Sequence, residues 1–172
     1  MKKITFVLIC LGSLLFCFSI ATALALPSPL EQRQSFIDCA YGFLGVPYKY
    51  GGLTKEGFDC SGFIYAVAKN SLNISLPRRS EDLYLKTEPV SDDERQPGDI
   101  LFFKAGAHIN HAAIYLGDDQ IIHAVSDGPR TGVIISSIHE DYWKRTYVST
   151  RRFLPRISEN LIKITDNNVT TE

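Results

Sequence analysis

Three side chains in this sequence could together cleave an amide bond: Cys60, His111 and His123. A thiol attacks an acyl carbon as the thiolate, so its ordinary pKa of about 8.5 has to be lowered by a helix N-terminus, an imidazolium or both. Cys60 follows a glycine-rich stretch and precedes an apolar run, which predicts that it lies at the start of a helix. Backbone N–H groups there favour an anion and are able to hold an oxyanion.

The two histidines belong to neighbouring predicted strands. His111 begins an apolar stretch, and His123 lies near the end of the next one, with the turn sequence Gly117-Asp118-Asp119 between them. Antiparallel pairing across this turn brings the two side chains next to each other. A single histidine at a strand end is more often structural, so the combination with a thiol carries the prediction. We predict that His111 is the general base and that His123 orients it.

A zinc site is the competing chemistry. His108 and His111 are spaced by three, and His123 and Cys60 would complete a set of four ligands. The stretch around His108 reads as a loop without a neighbouring glutamate base, which differs from the tighter motifs of catalytic zinc sites. We therefore predict no metal and no cofactor.

The first 25 residues have the pattern of a secretory signal peptide. Lys2 and Lys3 precede an apolar run, which ends in small residues and leads to a predicted cleavage after Ala25. A retained membrane anchor is the alternative, because the run approaches the roughly 20 residues that a span needs. We expect an exported protein of the periplasm or cell envelope, with no stable membrane insertion after cleavage.

Cleavage would leave two cysteines, because Cys10 and Cys17 lie in the leader. In an oxidising compartment, a disulfide between Cys39 and Cys60 is an alternative that needs no catalysis. Cys39 occupies an apolar position of a predicted helix and reads as a buried thiol.

The remaining chain fits one domain, residues 26–157, followed by a polar tail, residues 158–172, which we expect to be disordered. The formal net charge of the whole chain is −1, and loss of the two leader lysines makes it slightly more acidic. This balance gives no argument for a nucleic-acid partner. We expect a monomer.

Helices are predicted first and strands afterwards. Apolar residues recur at helical spacing over residues 30–44, 61–72 and 80–85, with Ser80 as the expected cap of the third helix. Short β-branched stretches follow at residues 100–103, 111–116, 120–124, 132–136 and 148–153. This order predicts an α+β domain in which the helices pack on one face of an antiparallel sheet.

Five sequence blocks resemble those of the NlpC-type cell-wall cysteine peptidases, and the resemblance runs from residue 36 to residue 153. The blocks are LGVPYKYGG at 44–52, FDCSG at 58–62, LPRRS at 76–80, QPGDILFF at 96–103 and HAAIYLG at 111–117. The resemblance implies a papain-like fold with N-terminal helices on a five- to six-stranded antiparallel sheet. It also implies a triad of Cys60, His111 and His123.

The resemblance further implies a substrate, the peptidoglycan stem peptide, cut commonly between γ-D-glutamate and a diamino acid. Tyr48 matches a tyrosine that leans over the thiol in this family, and Asp59 and Ser61 match residues on the amino-terminal side of the substrate. Asp59 would suit a substrate ammonium group, although it could equally cap the helix. Two other functions remain open: an amidase or acyltransferase for a non-wall substrate, and a non-catalytic, disulfide-bridged domain.

Overall fold

The computed structural model describes residues 26–128 and 130–157 of the chain. The predicted signal peptide, residues 1–25, and the predicted tail, residues 158–172, lie outside these residues. Within the described ranges, no helix has both the length and the apolar character needed to cross a bilayer.

The first helix, α1, spans Pro29–Tyr41 and ends three residues earlier than expected. Ser28 and Glu31 form a reciprocal capping box at its start, and Pro29 occupies the first turn, where a missing N–H costs nothing. The second helix, α2, spans Cys60–Leu72 and is capped by Asp59. It therefore begins at the predicted nucleophile.

The third helix, α3, spans Ser80–Lys86. Ser80 was expected to cap this helix, but it is the first helical residue. The capping position belongs to Arg79, which makes no side-chain capping bond. Ser80 instead directs its hydroxyl to the carbonyl of Ile109, 3.4 Å away. A fourth helix, α4, spans Asp141–Thr146 and was not predicted.

The strands form two sheets. A small hairpin pairs β1, Leu53–Thr54, with β2, Gly57–Phe58. The main sheet has six antiparallel strands: β3 Glu88–Val90, β4 Ile100–Phe103, β5 His111–Gly117, β6 Gln120–Val125, β7 Gly132–Ser137 and β8 Tyr147–Arg152. Their order is β3-β8-β4-β5-β6-β7, so the last strand of the chain lies between β3 and β4. This sheet confirms the α+β prediction.

A tight hairpin joins β5 to β6. Asp118 and Asp119 form its tip, with φ angles of 47° and 58°, which are the left-handed values that a two-residue turn requires. Ile114 then pairs with Ile122, and Tyr115 with Ile121. This register carries His111 and His123 along adjacent strands on the same side of the molecule.

Both faces of the sheet are covered. On one face, Ile100 and Phe102 of β4 belong to the main core with α1 and α2. On the other face, Leu101 and Phe103 form a smaller cluster with Trp143 of α4. Because alternate side chains of a strand point to opposite faces, the unbroken apolar run of β4 is explained by burial on both sides.

Candidate active site

Cys60 is the first residue of α2 and is buried. Its Sγ lies 3.8 Å from the carbonyl oxygen of Asn110, the residue that precedes β5. Cys60, Asn110 and His111 all border one cavity of about 460 Å³. The start of α2 and the start of β5 therefore meet at this cavity, where the helix N-terminus favours an anion.

Close packing of a glycine loop holds the start of α2 in place. A Cβ added to Gly62 would lie 2.1 Å from the carbonyl oxygen of Gly52, and a Cβ added to Gly52 would lie 2.1 Å from that of Gly57. Real Cβ atoms do not come this near to backbone oxygens. The glycines on both sides of Cys60 thus allow the loop and the helix to touch.

Asp59 is held by four donors within the protein. One carboxylate oxygen accepts from the N–H of Gly62 at 2.7 Å and the other from the N–H of Gly51 at 2.8 Å. Arg78 donates to both oxygens, at 2.8 and 2.6 Å. Burial raises the pKa of Asp59, but the bonds from Arg78 and the two N–H groups outweigh it and lower the pKa overall. The helix-capping role considered for Asp59 is thus present.

Ser61 belongs to the same cluster. Its Oγ accepts a hydrogen bond from Arg78 at 3.1 Å, and its side chain is buried. Tyr48 lies elsewhere, on the wall of the cavity that contains Cys60. Burial raises the pKa of the Tyr48 phenol, and the nearby Cys60 and Asp59 raise it further. Of the three predicted substrate-binding residues, only Tyr48 borders this cavity.

The two strand histidines are hydrogen-bonded to each other. His111 Nε2 and His123 Nδ1 are 2.9 Å apart. His123 is fully buried, and its Nε2 lies 3.1 Å from the Oγ of Ser136 on β7. Because Nε2 of His111 is engaged by His123, Nδ1 is the ring nitrogen left to accept a proton from a thiol.

Trp143 packs against both imidazoles. Its indole stacks on His111, with ring centroids 5.0 Å apart and planes 26° apart, and meets His123 edge to face at 4.6 Å. Sequence reasoning missed this residue because α4 lies in a segment that reads as polar. Two signals were present: it is the single tryptophan of the chain, and Thr146 follows it at helical spacing.

Burial determines the protonation of the thiol and the imidazoles. It raises the pKa of Cys60, although the N–H groups of Ala112, Ser61 and Cys60 itself favour the thiolate. Burial also lowers the pKa of His111 to about 4 and that of His123 well below its ordinary value. The thiol and the imidazole that border this cavity are therefore both neutral, whereas the sequence analysis expected a lowered thiol pKa.

The competing arrangements are not found in the described residues. Cys39 and Cys60 are both free, so they do not form the disulfide of the non-catalytic alternative. Cys39 is partly buried, and burial raises the pKa of its thiol. No three His, Cys, Asp or Glu side chains between residues 26 and 157, Pro129 aside, are grouped to hold a metal ion. His108 lies beside Glu81, 3.4 Å away, and is exposed.

Known proteins resemble this chain throughout the domain. The sequence model of the NlpC/P60 family matches residues 45–152. The chain is 40% identical to the murein DD-endopeptidase MepS/murein LD-carboxypeptidase of Escherichia coli K12, over 74% of the chain and 66% of that protein. It is 33% identical to the probable endopeptidase NlpC of the same organism, over 80% of the chain and 98% of that protein.

Two further comparisons agree. The chain is 38% identical to the gamma-DL-glutamyl hydrolase of Bacillus subtilis, over 84% of the chain and 34% of that protein. The crystal structure of an NlpC/P60 family protein from Bacillus cereus superposes with a TM-score of 0.67 at 30% identity, covering 76% of this chain and 42% of that one. The family match over residues 45–152 and the shared fold show that the chain belongs to the NlpC/P60 family.

Proposed function

We propose that this protein is a cysteine peptidase that hydrolyses amide bonds in the stem peptides of peptidoglycan. One observation carries the proposal: His111, which is hydrogen-bonded to His123, borders the same cavity as Cys60 at a helix start. Nucleophile, base and orienting group are the three parts of a catalytic triad. The relatives support the substrate, since MepS is named for endopeptidase action on murein.

The reaction follows from the protonation states. As the sulfur of Cys60 attacks the carbonyl carbon, its proton passes to Nδ1 of His111, so the neutral pair is the reactive form. Backbone N–H groups at the start of α2 stabilise the oxyanion of the tetrahedral intermediate. The imidazolium then returns the proton to the leaving amine, and a thioester remains on Cys60.

Hydrolysis of the thioester uses the same groups in reverse. His111 takes a proton from a water molecule, whose oxygen attacks the thioester carbon. Collapse of the second tetrahedral intermediate breaks the carbon–sulfur bond, and the proton on His111 returns to the sulfur. The products are a free carboxylic acid and the thiol of Cys60, so the cycle needs no cofactor.

We assign the cut to the bond between γ-D-glutamate and the diamino acid. The gamma-DL-glutamyl hydrolase among the relatives supports a γ-glutamyl bond. Tyr48, on the cavity wall, would lean over the thiol, and Asp59 and Ser61 would shape the amino-terminal side of the substrate site from the cluster held by Arg78. Because four donors already occupy the Asp59 carboxylate, any substrate ammonium would have to share it with Arg78.

Action on the cell wall requires export, which we propose on the basis of the predicted signal peptide. The alternative in which the thioester passes to an amine instead of water keeps the same triad. The two reactions differ in the mass of the acyl product, because hydrolysis adds the elements of water to it and transfer adds the acceptor amine.

The test is digestion of defined muropeptides by the purified protein, followed by mass spectrometry. We expect new amino termini, and we expect the summed mass of the two products to exceed the mass of the substrate by one water. Cys60→Ala should abolish this activity, whereas Cys39→Ala, which removes the other thiol of the domain, should preserve it. Full activity of Cys60→Ala, with the fold verified by circular dichroism, would disprove the mechanism.

A further inference from the structure

A chain of hydrogen bonds continues beyond the two histidines to Ser136. His111 Nε2 lies 2.9 Å from His123 Nδ1, and His123 Nε2 lies 3.1 Å from Ser136 Oγ. Strand register explains the second contact: Ser136 pairs with Ile121, two residues before His123, so both side chains point to the same face of neighbouring strands. His123 and Ser136 are both buried, which keeps bulk solvent from replacing either partner.

The direction of the protons along this chain decides whether His111 is able to act as a base. To accept the thiol proton, Nδ1 of His111 must be unprotonated, so its hydrogen lies on Nε2 and is donated to His123. His123 must then accept on Nδ1 and carry its own hydrogen on Nε2. That hydrogen needs an acceptor, and Ser136 Oγ is the atom placed to be one.

We propose that Ser136 is a positioning residue that selects this tautomer by accepting the Nε2 hydrogen of His123. The inference depends on the proposed function, because it describes how the base of that reaction is prepared. The same arrangement stabilises the His111 imidazolium that forms during attack, since His123 keeps its lone pair directed at His111 Nε2.

Loss of the Ser136 hydroxyl should reverse the donor and acceptor roles in the hydrogen bond between His111 and His123. Without Ser136 Oγ, a hydrogen on His123 Nε2 would be a buried donor with no partner, which is unfavourable. The hydrogen would move to Nδ1 of His123 and be donated to His111 Nε2. The hydrogen of His111 would then occupy Nδ1, the nitrogen that has to receive the thiol proton.

The first experiment measures muropeptide hydrolysis by Ser136→Ala, Ser136→Thr and Ser137→Ala. We expect Ser136→Ala to lower kcat by about 10- to 100-fold with a smaller change in KM, because Ser136 borders the cavity but its hydroxyl is bonded to His123. Ser136→Thr keeps an acceptor and should recover most of the rate. Ser137→Ala removes a neighbouring hydroxyl of the same strand, on the opposite face, and should match the wild type.

The second experiment needs no activity. Nitrogen-15 NMR of histidine-labelled protein distinguishes the two tautomers, and we expect His111 and His123 of the wild type to carry hydrogen on Nε2. In Ser136→Ala both should shift towards the Nδ1 form, whereas Ser137→Ala should leave them unchanged.

The outcomes separate the two ideas. Two results would overturn the role of Ser136 and leave the peptidase proposal standing. One is an unchanged kcat in Ser136→Ala, and the other is a hydrogen on Nδ1 of His123 in the unsubstituted protein. Activity in Cys60→Ala would overturn the peptidase proposal instead. If Ser136→Ala fails to fold, the assignment rests on the wild-type tautomers and on Ser136→Thr, which should retain both tautomers and rate.

Discussion

The surroundings of Cys60 act on its thiol in opposing ways. Burial raises the thiol pKa, while N–H groups at the helix start favour the thiolate. Burial has the larger effect, and it also keeps His111 neutral. In the proposed mechanism, His111 is therefore a neutral base that accepts the proton during attack, and no thiolate–imidazolium pair exists in the resting state.

Alkylation of Cys60 should therefore require alkaline pH. We expect the reaction of iodoacetamide with Cys60 to accelerate only as pH approaches and exceeds the ordinary thiol pKa, because burial disfavours the thiolate. Mass spectrometry of the Cys60 peptide measures this rate separately from that of Cys39, which serves as an internal reference. A rate that is already constant from acidic to neutral pH would contradict the prediction and indicate a pre-formed thiolate–imidazolium pair.

Trp143 should report the protonation of His111. The two rings are stacked, and a charged imidazolium quenches a stacked indole more strongly than a neutral imidazole does. Because burial lowers the pKa of His111 to about 4, we expect Trp143 fluorescence to fall with a midpoint near that pH.

The controls for this titration are His111→Asn, which should remove the transition, and His139→Gln, which changes an exposed histidine and should not. A midpoint near 6.5, the ordinary value for histidine, would show that burial does not dominate at His111. Folding must be monitored in parallel. Between about pH 6.5 and pH 4 the unfolded chain binds a proton at this position that the folded protein does not, so stability decreases as pH falls.

The sequence indicated the proposed catalytic side chains, but not the residues that contact them in the structure. Cys60, His111 and His123 were recognisable from residue type and local pattern. Ser136 and Trp143 were not, because their contacts with the histidines arise from strand register and from a short helix that packs across the sheet. Such contacts are non-local and leave no mark in spacing along the chain.

The elements differ in how far their bounds could be predicted. The bounds of β4 are those expected, and β5, β6 and β7 each extend one residue further, since apolar alternation and turn residues mark them locally. The short elements β1, β2, β3 and α4 were missed. They have two to six residues each, too few for a periodic pattern, and depend on neighbouring elements for their stability.

The junction between the glycine loop and α2 gives a prediction for Gly62. Replacing a helix glycine with alanine ordinarily stabilises a protein by about 1 kcal/mol. Gly62→Ala should do the opposite, because its Cβ would lie 2.1 Å from the carbonyl oxygen of Gly52 and would force the loop away from Cys60. We expect a lower Tm together with reduced activity, measured by calorimetry and muropeptide digestion.

Ser71→Ala is the matched control for this variant. It lies in the last turns of the same helix, improves helix propensity and introduces no new atoms against the loop. Its Tm and activity should stay close to those of the wild type. If Gly62→Ala is as stable as the wild type or more stable, the loop moves to accommodate the Cβ without loss of stability.

The two ends of the described domain are joined by a buried ion-pair cluster. Arg33 of α1 contacts Asp99 at 3.1 Å and also donates to the carbonyls of Pro97 and Pro155. Arg152 of β8 contacts the other Asp99 oxygen at 2.7 Å. One buried carboxylate thus pairs with two guanidinium groups.

Removal of that carboxylate should be costly. Asp99→Ala leaves two largely buried arginines without their partner, and we expect a loss of about 3–5 kcal/mol in the free energy of unfolding. Asp93→Ala, at a nearby exposed position, should change it by less than about 0.5 kcal/mol. Urea denaturation measures both, and a similar small effect of the two substitutions would contradict the role assigned to Asp99.

The position of β8 has a consequence for synthesis of the protein. This strand, Tyr147–Arg152, separates β3 from β4, so a growing chain lacks the piece that links β3 to the rest of the sheet until almost all of the domain has left the ribosome. Before then the edge of β4 lacks its partner strand, and its apolar residues are exposed to other polypeptides. Premature termination ahead of Tyr147 should therefore yield aggregating fragments and not a smaller working enzyme.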